Sequence, residues 1–149
     1  MLQRKLPMCV AFIAGISFPA FAATEDEFLS HAIKGDNSEV ALGQLAVTKG
    51  ASNTAKSFGQ TLVDDHSKHR DQAAALAKKL GVPSPDGITD EARQEEAKLQ
   101  KLTGAAFDRE FAQYMAKDHE KDVSEFKQEA SKGQGPVQQL ASEDRKSVV

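Results

Sequence analysis

At 149 residues the chain is one domain's worth, without room for two independent cores. It carries 22 acidic residues against 19 lysines and arginines, a mildly acidic balance that argues against nucleic acid or an anionic membrane as partner. With no tryptophan and one tyrosine, it also has few stacking platforms for bases or sugars.

The first residues have the pattern of a signal peptide spanning 1–22. Arg4 and Lys5 stand without any acid in Met1 to Met8, and an apolar run follows from Cys9 to Phe18. Ala20-Phe21-Ala22 puts small residues at the two positions a signal peptidase reads, which places the cut between Ala22 and Ala23. The apolar run is shorter than the roughly 20 residues a membrane span needs, so no stable span is expected after cleavage. Pro7 and Met8 flank Cys9 wrongly for a lipoprotein site. Cleavage removes the lone cysteine and two basic residues, leaving 17 basic against 22 acidic residues and a net charge of −5. The mature domain, residues 23–149, is therefore expected to be free of thiol chemistry and exported to the periplasm.

Beyond residue 23 the chain reads as helices separated by short breakers. Thr24 and Glu27 make a capping box. Phe28, Ala32, Gly35, Glu39, Leu42 and Ala46 then follow steps of four and three, with Leu29, Ile33, Val40 and Val47 widening the stripe. Gly35-Asp36-Asn37 weakens the middle of this helix, where a kink is expected, and Gly50 ends it. A second helix, about Asn53 to Leu80, starts at Ser52 and carries the seam Ala55, Phe58, Leu62, His66, His69, Ala73, Leu76 and Leu80. After a loop from Gly81 to Thr89, a shorter helix runs from about Asp90 to Leu102. A long one follows from about Ala105 to Ser131, striped by Phe107, Phe111, Met115, Asp118, Asp122 and Phe126. Gly133, Gly135 and Pro136 precede a last, short helix with Val137, Leu140 and Ala141 inward. No window alternates long enough for a strand, so the fold class is all-α, an antiparallel helical bundle with a shortened fourth helix.

The chain also echoes itself. Phe58, Gln60, Asp65, His66 and Lys68 recur as Phe111, Gln113, Asp118, His119 and Lys121 at an offset of 53. On helical wheels at about 100° per residue, His69, His66 and Asp65 fall on or beside the apolar face of the second helix. Asp118 and Asp122 sit near the centre of the later face, with His119 on its flank. Glu39 occupies the seam of the first helix. Such groups are costly to bury without partners. Two arrangements satisfy them: a metal ion held by carboxylates and imidazoles, for which iron, manganese, zinc and copper all qualify, or hydrogen bonds among the side chains themselves. The candidate metal ligands are Glu39, Asp65, His66, His69, Asp118, His119 and Asp122. Glu-x-x-His is absent, with Asp-His pairs and a His-x-x-His in its place, which counts against the metal, and the missing glutamates count against a di-iron oxidase. His31 reads as solvated, Tyr114 as a boundary residue, and Lys78-Lys79 as complementing a helix dipole. No phosphate loop or nucleophile elbow is present.

The segments Glu39-Val40-Ala41-Leu42-Gly43-Gln44-Leu45-Ala46, Val63-Asp64-Asp65-His66, Leu102-Thr103-Gly104-Ala105-Ala106-Phe107-Asp108 and Lys117-Asp118-His119 resemble, in this order, the exported bacterial family of domain of unknown function 4142. The resemblance covers about residues 25 to 141. It implies a ferritin-like four-helix bundle, an exported or outer-membrane location, and Glu39, Asp65, His66 and His119 as the characteristic polar positions. That pattern continues into a Leu-Pro segment and a terminal Leu-x-x-His. Here residues 142–149 lack both, as a truncated or frame-altered end would, so the fourth helix is expected to be short and the bundle open along one side.

The leading expectation is a periplasmic bundle binding a metal ion for storage, scavenging or stress protection, without a defined enzymatic activity. The competing expectation is a metal-free interaction module of the cell envelope. Its Phe28, Leu42 and Phe111 stripes would be left partly uncovered for a homo-oligomer or an envelope protein.

Overall fold

The computed structural model describes residues 24–147, apart from the side chains of 145–147; the expected signal peptide lies outside them. All regular structure among these residues is helical: α1 Glu25–Lys49, α2 Asn53–Leu80, α3 Asp90–Leu99, α4 Gly104–Ala130 and α5 Pro136–Ser147. None of the helices is long and apolar enough to cross a membrane.

The helix starts follow from local chemistry. The Thr24 hydroxyl accepts from the Glu27 amide at 3.2 Å, and the Glu27 carboxylate accepts from the Thr24 amide at 2.8 Å. Ser52 and Thr89 cap α2 and α3 in the same way through the amides of Ala55 and Ala92. Gly81, at φ 76°, supplies the left-handed cap that ends α2. That turn leaves Leu80 about half exposed (47%), against its expected place in the core, and Val82 occupies the interior instead. The end of α3 comes three residues before the expected Leu102, where the Lys49 ammonium donates to the Leu99 and Gln100 carbonyls.

α1 runs unbroken through Gly35-Asp36-Asn37. The polar residues there have tertiary partners instead of weakening the helix. Asp36 accepts from His66, the Asn37 amide donates to the Gly87 carbonyl, and the Ser38 hydroxyl accepts from the Thr89 amide. These last two contacts tie the 81–89 loop to the helix.

α1 and α2 form an antiparallel hairpin around an unusually close crossing at Gly43 and Gly59. A Cβ at either position would lie 2.6–2.7 Å from the other's carbonyl oxygen, so no side chain fits there. α4 lies antiparallel to α1, with Phe28 beside Phe126 and Glu39 beside His119. Two apolar clusters close the ends of this pack. At one end Phe28, Leu29 and Ile33 meet Ala73, Ala77, Val137, Leu140 and Ala141. At the other, Leu42 and Ala46 meet Leu62, Leu99, Phe107, Phe111 and Met115. The Phe28, Leu42 and Phe111 stripes, expected to be partly uncovered, are 6%, 0% and 1% exposed. α5 covers the first end and α3 the second, so two short helices together do the work of one long one. The polar residues of the inner faces lie in the layer between the clusters.

Two glycine replacements separate packing from propensity. Gly43→Ala forces a backbone clash and is expected to destabilise the fold by about 1–3 kcal/mol. Gly35→Ala meets no atom within 4 Å and removes a flexible helix position, a gain of up to ~1 kcal/mol. Thermal unfolding followed by circular dichroism should move the two midpoints in opposite directions. A common direction would contradict the close α1–α2 crossing.

Candidate metal centre

Four helices deliver the polar layer. In α1, Asp36 and Glu39 are three residues apart, so they lie on adjoining faces about one turn from each other. His66 and His69 repeat that spacing on α2, and α4 contributes Asp118, His119 and Asp122. Asp144, from α5, lies 3.9 Å from His69 Nε2, which is too long for a hydrogen bond.

Glu39 is at the centre and completely buried. Its Oε2 is approached by two imidazoles, His66 through Nε2 and His119 through Nε2 at 3.1 Å. The opposite ring nitrogen of His66, Nδ1, donates to Asp36 Oδ1 at 2.9 Å. The two histidine rings stack with centroids 5.9 Å apart. Glu39 Oε1, by contrast, is buried without any hydrogen-bond partner among the described residues. Asp118 and Asp122 face this group, and three overlapping sets bring ligand atoms within 4.8 Å of one another: Asp36, His66 and His69; Glu39, His66 and His119; Glu39, Asp118 and Asp122.

The electrostatics follow from desolvation set against pairing. Burial opposes the charged form of Glu39, but hydrogen bonds from His119 and His66 outweigh it and hold its pKa well below the usual carboxylate range. Burial likewise opposes a charged His66, and the bonds to Asp36 and Glu39 prevail, raising it to about 10. His66 is thus an imidazolium clamped between two carboxylates. Burial raises Asp36 to about 6 despite that partner. Burial and the Glu39 charge raise Asp118 to about 6 and Asp122 to about 8, and burial with the nearby Asp36 raises Asp144 to about 7. Burial and the charge on His66 lower His69. The layer thus holds more carboxylates than its imidazoles can neutralise.

A cleft of about 570 Å³ opens beside α1 and α4 and reaches this layer, with Asp118, Asp122 and His66 on its walls and Tyr114 at its side. Burial and Asp118 push the Tyr114 phenol upward. The arrangement can hold a cation. It contains no nucleophile activated by a base.

Six of the seven expected ligands converge: Glu39, His66, His69, Asp118, His119 and Asp122. Asp65 does not. Its carboxylate is half exposed and lies 3.7 Å from Lys68 on the outer surface, because consecutive helical residues diverge by about 100° and His66 takes the inward direction. Two buried members were missed. Asp36 stands one heptad after Leu29 and three residues before Glu39, a signal masked by the flanking Gly35 and Asn37. Asp144 stands one heptad after Val137, in a segment too short to show a period. His31 is 71% exposed at its side chain, as expected of a solvated residue. The echo at offset 53 also has a physical meaning, since Phe58 packs on Phe111 and His66 stacks on His119.

These protonation states set an unusual pH dependence for the metal-free protein. His66 and the four raised aspartates bind protons more tightly when folded than when unfolded. Their contribution is fully present below the unfolded pKa and is lost as pH rises through about 6 to 8 for the aspartates and about 10 for His66. Glu39 and His69 act in the opposite sense: the contribution of Glu39 is lost as pH falls below the unfolded carboxylate value and the smaller one of His69 as pH falls below the unfolded imidazole value. Urea midpoints should therefore be highest near pH 4.5 and fall steadily toward pH 9. A midpoint that rises between pH 4.5 and 7 would contradict the paired layer.

Comparison with known proteins adds the family but no relative of known activity. No match was found among curated proteins or among solved structures. The family match extends over residues 16–149, so it takes in every helix that contributes to the polar layer. The chain belongs to the family described as a domain of unknown function, DUF4142.

Proposed function

We propose that this protein is an exported, ferritin-like helical bundle that binds a divalent first-row transition-metal ion through Glu39, His66 and His119, with Asp118 and Asp122 alongside. The observation that carries the reading is Glu39: one oxygen shared by two imidazoles, the other buried with no hydrogen-bond partner among the described residues. An orphaned buried carboxylate oxygen costs about 1–3 kcal/mol or more, and an ion would relieve it while neutralising the surplus acid around it. One carboxylate and two imidazoles, with two further carboxylates in reach, fit iron, manganese, zinc or copper. When bound, such an ion supplies Lewis acidity or redox chemistry. The protein's own residues hold it, keep it among apolar neighbours, and leave it reachable from the cleft beside α4. Storage, scavenging or protection against free metal are the roles such a site supports. Export rests on Arg4, Lys5, the apolar run after them and Ala20-Phe21-Ala22, and the ferritin-like assignment on three long helices carrying inward ligands.

The test is elemental analysis of untagged protein isolated from a bacterial periplasm. Near-stoichiometric metal is expected in the wild type and a loss of at least tenfold in Glu39→Ala and His119→Ala. Zinc added at about 100 times its Kd should stabilise the wild type by about 2.7 kcal/mol and leave both variants unmoved. Metal-free wild type, together with a Glu39→Gln variant whose stability ignores added zinc, would instead establish a plain hydrogen-bonded layer.

A further inference from the structure

We propose a second metal site on the far side of His66, formed by Asp36, His69 and Asp144, with the His66 ring shared as a bridging imidazolate between two ions. The proposal rests on the site described above and deepens it.

The geometry of one ring carries the argument. His66 presents Nε2 to Glu39 and Nδ1 to Asp36, so its two nitrogens serve different ligand sets on opposite sides of the imidazole. Asp36, His66 and His69 bring ligand atoms within 4.8 Å of one another, a set that has only His66 in common with the Glu39, His66 and His119 set. Asp144 adds a fourth potential donor from α5. Its side chain is only 4% exposed, and its Oδ1 lies 3.9 Å from His69 Nε2. Asp36, His66 and His69 thus form one compact set with Asp144 beside His69, a mixture of oxygen and nitrogen donors suited to copper(II) or zinc(II). The hydrogen bonds of His66 mark the directions in which metal–nitrogen bonds would form. As each ion binds, the ring releases one N–H proton to solvent, so two protons leave and two metal–nitrogen bonds replace them. Asp36 and Asp144 then share a cation.

Copper(II) is the probe, because an imidazolate bridge couples two copper spins magnetically. The full mature chain is titrated with copper(II), freed of loose ion by desalting, and examined by elemental analysis and electron paramagnetic resonance. The first equivalent is expected to give an ordinary one-spin signal. The second should bring the total to two ions per chain while the signal drops well below two spins. Asp144→Asn, which alters only the second site, should hold one copper and return the full one-spin signal in the presence of excess metal. Saturation of the wild type at a single copper, or two coppers with undiminished two-spin intensity, would overturn the shared-imidazolate site and leave the Glu39 site standing. Absence of any tightly held copper would overturn both. The wild-type result decides by itself if the variant fails to fold, which circular dichroism will show.

Discussion

The burial of Glu39 is the constraint around which the rest of the polar layer is organised. A carboxylate without solvent must find positive charge or be protonated, and here His66 and His119 supply the partners. His66 can carry a charge in the interior only because Asp36 receives its other nitrogen. Burial, together with the Glu39 charge, in turn keeps Asp122 protonated near neutral pH. Each group is explained by the one beside it. Glu39 Oε1 stands at the end of this series, buried without a hydrogen-bond partner among the described residues.

Such a layer weakens a small core, because every position given to a charged group is lost to apolar packing. The fold offsets this by concentrating apolar side chains at both ends of the bundle. The phenylalanines of α4 and the leucines of α1 and α3 seal one end. Phe28, the alanines of α2 and the inner face of α5 seal the other. The loop joining α1 to α2 is held by Asp108, whose carboxylate accepts the Ala51 and Ser52 amides at 2.8 and 2.9 Å. α4 and the hairpin are thus joined by hydrogen bonds outside the polar layer as well as within it, so the ligand set does not depend on an ion to bring its helices together.

Much of this was legible in the sequence, and what was not has physical causes. Helix positions followed from capping residues and from steps of three and four, which are local signals. Glu39, His66 and Asp122 were recognisable because each interrupts an apolar stripe. Asp65 shows the limit of a helical wheel: a residue 60° from the face centre goes in or out according to what its neighbour helix presents. Asp36 shows another. Gly, Asp and Asn in succession have the composition of a break, and only the partners in α2 and the 81–89 loop reveal why helix persists there. The coverage of the Phe28 and Leu42 stripes by α5 and α3 was hidden because it depends on how two short helices dock, which periodicity does not encode.

Every residue in the turn of α1 from Asp36 to Glu39 is tied to a neighbour: Asp36 to α2, Asn37 to Gly87 and Ser38 to Thr89 of the 81–89 loop, and Glu39 to α2 and α4. Apolar seams alone tolerate sliding, since a helix displaced axially by seven residues presents nearly the same stripe. Four consecutive residues held in this way admit no such displacement, because a shift by any number of positions breaks all the contacts together. This single turn therefore acts as a key that gives the rod one permitted depth among its neighbours, and the ligand-bearing layer inherits its alignment from it.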